Sequence, residues 1–280
     1  KTAVACARVA YLIEECGLEA SKIFLISFTR TAIKEIRDRI EAFAKNPLNV
    51  AGLQIFTLDS FTWQVLSGLG DDDTADLLGG YDSNVKKLVQ QLRDGDTKLL
   101  DFLEEFEHVI LDEGQDLVAD RADLAIQIIS NLDKGCGVTI FADSAQAIYG
   151  FTDDSEQHGT HHSLTVVERI LDGEVAGFER QTLRKIHRTN DPGLTRLFTD
   201  GRDRLLDRKE SDIEGWLAMK QLIKDCSHGT VGHVEEQDIA GSSDHLVLFR
   251  TRAEVLMASS FLSGRGIVHK LRMSGTTPRL

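Results

Sequence analysis

"HVILDEGQDL", residues 108–117, decides how the rest of the chain is read. A short aliphatic run leads directly into Asp112, Glu113, Gln115 and Asp116. A carboxylate carried into an apolar interior is costly unless it is paired or holds a metal. The segment therefore reads as a buried strand that ends at solvent or at a site. Working outward, "KIFLISF" (22–28), "LQIFT" (53–57) and "GVTIFAD" (137–143) are further short runs rich in β-branched and aromatic residues. Between them lie helical patterns over 2–16, 31–43, 59–68, 84–105 and 120–132. In the first, Val4, Ala7, Tyr11 and Leu12 share helical spacing; in the second, Ile33, Ile36, Ile40 and Phe43 do.

Short apolar strands alternating with helices predict an α/β fold, a parallel sheet flanked by helices. Four strands end in polar or reactive residues: Phe28-Thr29, Thr57, Asp112-Glu113 and Asp143. Ligands of open α/β sheets bind at the carboxyl ends of the strands, so these side chains are expected along one edge.

Composition sets limits on function. With 280 residues there is room for one large or two medium domains. No apolar run approaches the length of roughly 18 residues that a membrane span needs, so no membrane association is expected. A net charge of −13 argues against nucleic-acid binding over the whole surface but not within a local groove. Cys6, Cys16, Cys136 and Cys226 are scattered, which argues against a zinc or disulfide framework and for a cytoplasmic setting. The polar cluster His158, His161 and His162 matches no standard zinc spacing and reads as a surface loop. The acidic, glycine-rich stretch 70–83 also reads as a loop. From about residue 178 the pattern resumes, with strand-like "GFERQTL", helices over 191–222, strand "HLVLFR" (245–250), a helix over 252–263 and strand "VHKLRM". Two domains are expected, 1–177, with a short insertion near 70–105, and 178–280.

Taken alone, "ILDEGQD" is either a charged turn or a nucleotide-hydrolysis site. Its context resembles the UvrD/Rep/PcrA-like superfamily 1 DNA helicases. "ILDEGQDL" is similar to their D-E-x-Q-D box, and "FADSAQAIYGF" (141–151) to G-D-x-x-Q-x-I-Y-x-F/W. "SFTRTAIKEIRDRI" (27–40), "FTLDSF" (56–61), "LRKIHRT" (183–189) and the stretch 246–275 follow in family order. Lys1-Thr2, followed by a helix, is similar to the last two positions of a P-loop whose glycines would precede Lys1.

The resemblance implies a RecA-like P-loop NTPase domain followed by part of a second one, with ATP and Mg²⁺ as ligands. Lys1 would contact the β- and γ-phosphates, and Thr2 would ligate Mg²⁺. Asp112 would hold Mg²⁺ through water, and Glu113 would act as general base. Gln146 would sense the γ-phosphate, and Arg188 would reach it from the second domain. Gln115 and Asp143 would support the nucleotide site. Phe28, Tyr149 and Phe151 would stack on single-stranded DNA, or on the single strand at a junction with duplex. Thr29, Thr57 and Ser60 would bond its phosphates. The implied activity is that of an ATP-dependent DNA helicase or translocase.

The sequence departs from the family at Ile186-His187, at Asp59, whose charge would repel phosphate, and at Thr152. These departures favour the alternative, an ATP-driven switch or assembly subunit with protein partners in a repair or defence complex. The chain opens without a methionine and stops at Leu280, before the later family boxes. It is read as a motor-core fragment, expected to hydrolyse ATP poorly by itself.

Overall fold

The run Ile23–Ser27 forms the central strand β1, and all five of its residues are buried. Its alternate side chains serve two cores, Phe24 and Ile26 on one face and Ile23 and Leu25 on the other. Successive residues of a strand point to opposite faces, so a strand covered on both sides must be apolar throughout. A computed structural model of the chain describes residues 1–27, 30–68, 80–147, 164–187, 189–206, 212–229, 245–249 and 251–271. Strands β2 (Gln54–Thr57), β3 (His108–Leu111) and β4 (Gly137–Ile140) complete a four-stranded sheet in the order β2-β1-β3-β4. Every pairing is parallel, with Ser27 opposite Thr57, Ile26 opposite Leu111, and Leu111 opposite Ile140.

Helices α1 (Thr2–Glu14) and α2 (Arg30–Phe43) contribute Cys6, Val9, Leu12, Ile36 and Ile40 to the core behind Ile23, Leu25 and Ile110. The larger core collects α3 (Leu58–Gly68), α4 (Tyr81–Asp94), α5 (Thr97–Glu104), α6 (Ala119–Ser130) and α7 (Val166–Leu171). At its centre the Phe24 ring lies 4.8 Å from Phe61 and 4.9 Å from Phe106.

Three local expectations change. The buried face of α1 is Ala5, Cys6, Val9, Ala10 and Leu12, while Val4 and Tyr11 face outward. The small Ala and Cys side chains let this helix pack closely, and the larger Val4 and Tyr11 are left on the outer side. Phe43, at the end of α2, is likewise exposed. The single helix expected over 84–105 is two, because Gly95 takes a left-handed conformation (φ 74) that closes α4. Asp96 then caps α5 by accepting from the Leu99 amide at 3.1 Å.

The chain divides into two compact units, Lys1–Lys185 and Ile186–Leu280. Residues 178–185 therefore group with the first unit, and Phe178 packs against its larger core. The second unit holds α8 (Pro192–Arg196), a π-helical turn (Leu197–Gly201), α9 (Arg202–Leu206), α10 (Asp212–Cys226) and α11 (Arg252–Gly264). A side chain at Gly193 would collide with the Cys226 carbonyl, so a glycine is needed where α8 meets the end of α10. The segments expected as strands at 177–183, 245–249 and 268–271 form no ladder among the described residues. Among those residues no helix is long and apolar enough to cross a membrane.

Candidate active site

The Asp-Glu step is built by the sheet itself. Beyond the last residue of β3, the Asp112 amide donates to the Ile26 carbonyl at 2.8 Å and continues the ladder by one position. Asp112 is thus held at the carboxyl edge and is only 3% exposed. Glu113 then turns the chain in a left-handed conformation, φ 56 and ψ 44. For a residue with a side chain this costs about 1–3 kcal/mol and is met most often at functional sites. Gly114 follows because nothing larger fits: a Cβ there would lie 2.8 Å from Ile140 Cγ2. Its amide donates to the Phe141 carbonyl at 2.9 Å, which ties the turn to the end of β4.

From this turn a line of hydrogen bonds crosses the sheet edge. Lys1 Nζ lies 2.5 Å from Glu113 Oε2, which brings the start of α1 to the end of β3. Gln115 Nε2 donates to the same oxygen at 2.7 Å. The Asp143 amide donates to Gln115 Oε1 at 2.8 Å. Gln146 Nε2 donates to Asp143 Oδ2 at 3.0 Å, and the Ala145 amide to Asp143 Oδ1 at 3.2 Å. The Gln115 side chain has a single consistent orientation here, since its amino group must face the carboxylate and its carbonyl the amide. Five residues singled out in the sequence, Lys1, Glu113, Gln115, Asp143 and Gln146, are therefore brought together.

The two carboxylates differ electrostatically. Burial, reinforced by the neighbouring Glu113 charge, pushes Asp112 from 3.8 up to about 6, against the pull of Lys1. Burial also pushes Glu113 upward, but the hydrogen bonds from Lys1 and Gln115 outweigh it and hold the group below the usual glutamate value. Asp112 Oδ1 has no hydrogen-bond partner among the described residues. Ser27 Oγ, one position past Ile26 on the adjacent strand, is fully buried and equally without a partner. An orphaned buried polar atom costs about 1–3 kcal/mol. A hard cation with its water shell suits a buried carboxylate oxygen beside a hydroxyl, so these residues fit Mg²⁺. Ser27 was not singled out in the sequence, although "IFLIS" carries the same signal as "HVILD", a polar residue closing an apolar run.

The remaining residues divide in two. Thr57 and Ser60 stand at the end of the edge strand β2, two strands from β3, or about 10 Å at normal strand spacing. Their hydroxyls bond each other at 2.9 Å, and the Ser60 amide donates to Thr57 Oγ1 at 3.1 Å, closing the turn into α3. Asp59 does not stand as a bare charge. Arg121 Nε and Nη2 both lie 3.1 Å from its Oδ1, while Arg121 Nη1 reaches Asp82 at 3.0 Å. No feature of the sequence marked Arg121 as its partner. Phe28, Thr29, Tyr149, Phe151 and Arg188, with the histidines at 158, 161 and 162, lie outside the described residues.

Residues 1–77 match the family model described as UvrD/REP helicase N-terminal domain. The match covers Lys1-Thr2 and the boxes at 27–40 and 56–61, so this first part of the chain is similar to the N-terminal domain of UvrD-like helicases. No curated protein matches the chain.

Proposed function

We infer that this chain, whose residues 1–77 are similar to a UvrD/REP helicase N-terminal domain, is the ATP-hydrolysing core of a motor that moves along single-stranded DNA. The observation that carries the inference is the line Lys1–Glu113–Gln115–Asp143–Gln146 along the carboxyl edge of a parallel sheet. A cation, a carboxylate and an amide set on three different segments are what phosphoryl transfer to water requires.

In this proposal the first unit, which holds the sheet, is a RecA-like domain, and the unit from Ile186 onward is part of a second such domain. Lys1 exchanges Glu113 for the phosphates of ATP. Glu113, freed, takes the proton of the attacking water. Asp112 and Thr2 would hold Mg²⁺, which would supply neutralisation of phosphate charge. Gln146 meets the γ-phosphate, Arg188 adds positive charge to it, and Gln115 and Asp143 support the site. Phe28, Tyr149 and Phe151 stack on the bases, while Thr29, Thr57 and Ser60 bond the strand's phosphates.

Two measurements on the full-length protein test this. Glu113→Gln should retain ATP binding and lose turnover; normal turnover would remove Glu113 from the role of base. Single-stranded DNA should stimulate ATP hydrolysis several-fold. Hydrolysis indifferent to DNA would favour the switch or assembly subunit over the motor.

A further inference from the structure

Gln115 has both ends of its side chain committed to the hydrogen-bonded line. It is 3% exposed, so its amide has no access to solvent as an alternative partner. One end fixes Glu113 Oε2 at 2.7 Å, and the other receives the Asp143 amide at 2.8 Å. Asp143 in turn orients Gln146 through Oδ2 at 3.0 Å. The turn after β3 and the turn after β4 are thereby joined through a single planar group. If the carboxylate of Glu113 rotates, Gln115 must follow or lose a buried hydrogen bond, and the Asp143 turn loses its acceptor with it.

We propose that Gln115 is a positioning residue rather than a nucleotide ligand: it sets the direction of the Glu113 carboxylate and transmits that setting, through Asp143, to Gln146. The proposal rests on the hydrolytic role given above to Glu113. Its physical content is a mechanical coupling that exists whether or not the chain hydrolyses ATP. The two strand ends are tied by backbone through Gly114 and Phe141, and Gln115 adds the side-chain link between them; a buried amide with one hydrogen bond removed is penalised by the full desolvation of the freed group.

The test has one arm that needs turnover and one that does not. Both use Gln115→Met, which keeps the volume and removes both hydrogen bonds, and Gln115→Glu, which keeps an acceptor for the Asp143 amide but opposes Glu113. In the full-length protein both variants should lower kcat by about 10- to 100-fold, as loss of an orienting partner does, with KM for ATP within about twofold. Because Gln115 and Gln146 act through one connection, the double variant Q115M/Q146A should lose no more than the more damaging single change. An unchanged kcat, a loss confined to KM, or losses that multiply in the double variant would each overturn the proposal.

The second arm follows the Asp143 backbone amide by ¹H–¹⁵N NMR. Glu113→Gln should shift this resonance in the wild-type background and leave it in place in the Q115M background. An Asp143 amide that ignores Glu113→Gln, or responds equally without Gln115, would overturn the coupling. Absence of ATP hydrolysis in the wild-type protein with the NMR response intact would sink the hydrolytic role and leave the coupling standing.

Discussion

Lys1 Nζ sits 2.5 Å from Glu113 Oε2, and the two side chains are only 16% and 28% exposed. In the proposed function the same ammonium must serve the phosphates of ATP, so nucleotide has to displace it from the carboxylate. A partly buried ion pair of this kind is worth about 1 kcal/mol. Glu113→Gln removes the competitor and should tighten ATP binding about fivefold, the equivalent of that energy. Titration with a fluorescent ATP analogue checks this. Equal or weaker binding by the variant would mean that Lys1 does not have to leave Glu113 for nucleotide to bind.

Asp112 shows what the site costs the fold. Its carboxylate is buried, raised to about 6, and has one oxygen without a partner among the described residues. At pH 7 the ionised form is therefore destabilising. Asp112→Asn should raise stability by about 1–3 kcal/mol in the absence of Mg²⁺, on the scale of 1.4 kcal/mol per pKa unit, and should abolish Mg²⁺-dependent hydrolysis. The sign follows from linkage: a raised folded pKa means that the folded chain holds the proton more tightly. The gain should be full above pH 6 and fade toward 3.8, where the aspartate protonates in the folded and unfolded chain alike. Urea unfolding at pH 7 and pH 4 measures both limits. A variant less stable than wild type at pH 7 would show that the carboxylate has a stabilising partner.

Legibility from sequence followed the range of the interactions. The inner strands β1 and β3 are legible because an apolar run buried on both faces has few alternatives, whereas the runs at 177–183, 245–249 and 268–271 carry the same local pattern and form no ladder among the described residues. The strand-end signal at Asp112 and Asp143 depends on the same local pattern. The same pattern is present at Ser27. The Gln115–Asp143 bond was not visible: it spans 28 residues and depends on the left-handed turn at Glu113, which sequence does not announce for a residue other than glycine. The outward face of α1 was misassigned for a related reason. Val4 and Tyr11 share a helical spacing with Leu12, but the buried face is turned toward Ala5, Cys6, Val9 and Ala10, and the tyrosine keeps its polar tip outward.

Asp59 was expected to repel DNA phosphate, but the structure sets Arg121 against it. Arg121, shared between Asp59 and Asp82, offsets one of the two negative charges and is held directly against Asp59. Asp59→Asn should therefore change single-stranded DNA affinity by less than about twofold at moderate salt, since a paired surface charge contributes little. Its effect on stability should be a loss of at most about 1 kcal/mol. Arg121→Ala should be the more damaging change, because it leaves two acids facing each other without a cation. It should weaken DNA binding as well as lower Tm. Fluorescence anisotropy with a labelled oligonucleotide and thermal unfolding decide this. Markedly tighter DNA binding by the Asp59→Asn variant would restore the repulsion.

At the opposite end of the sheet, His108 opens β3 as a buried imidazole whose Nε2 lies 2.9 Å from Thr139 Oγ1. Burial, with Arg8 nearby, pushes it from 6.5 down to about 4. The unfolded chain therefore takes up a proton before the folded one, and the stability due to the neutral ring is complete above pH 6.5 and lost as pH falls toward 4. The loss should be on the order of 3 kcal/mol, read as the difference between wild type and His108→Gln across that window. The ring also explains Gly137, where a Cβ would collide with it. Gly137→Ala should destabilise the fold by about 1–3 kcal/mol through overpacking, and His108→Ala should relieve most of that in the double variant. If instead the two losses add, Gly137 is needed for its backbone and not for the space it leaves to the ring.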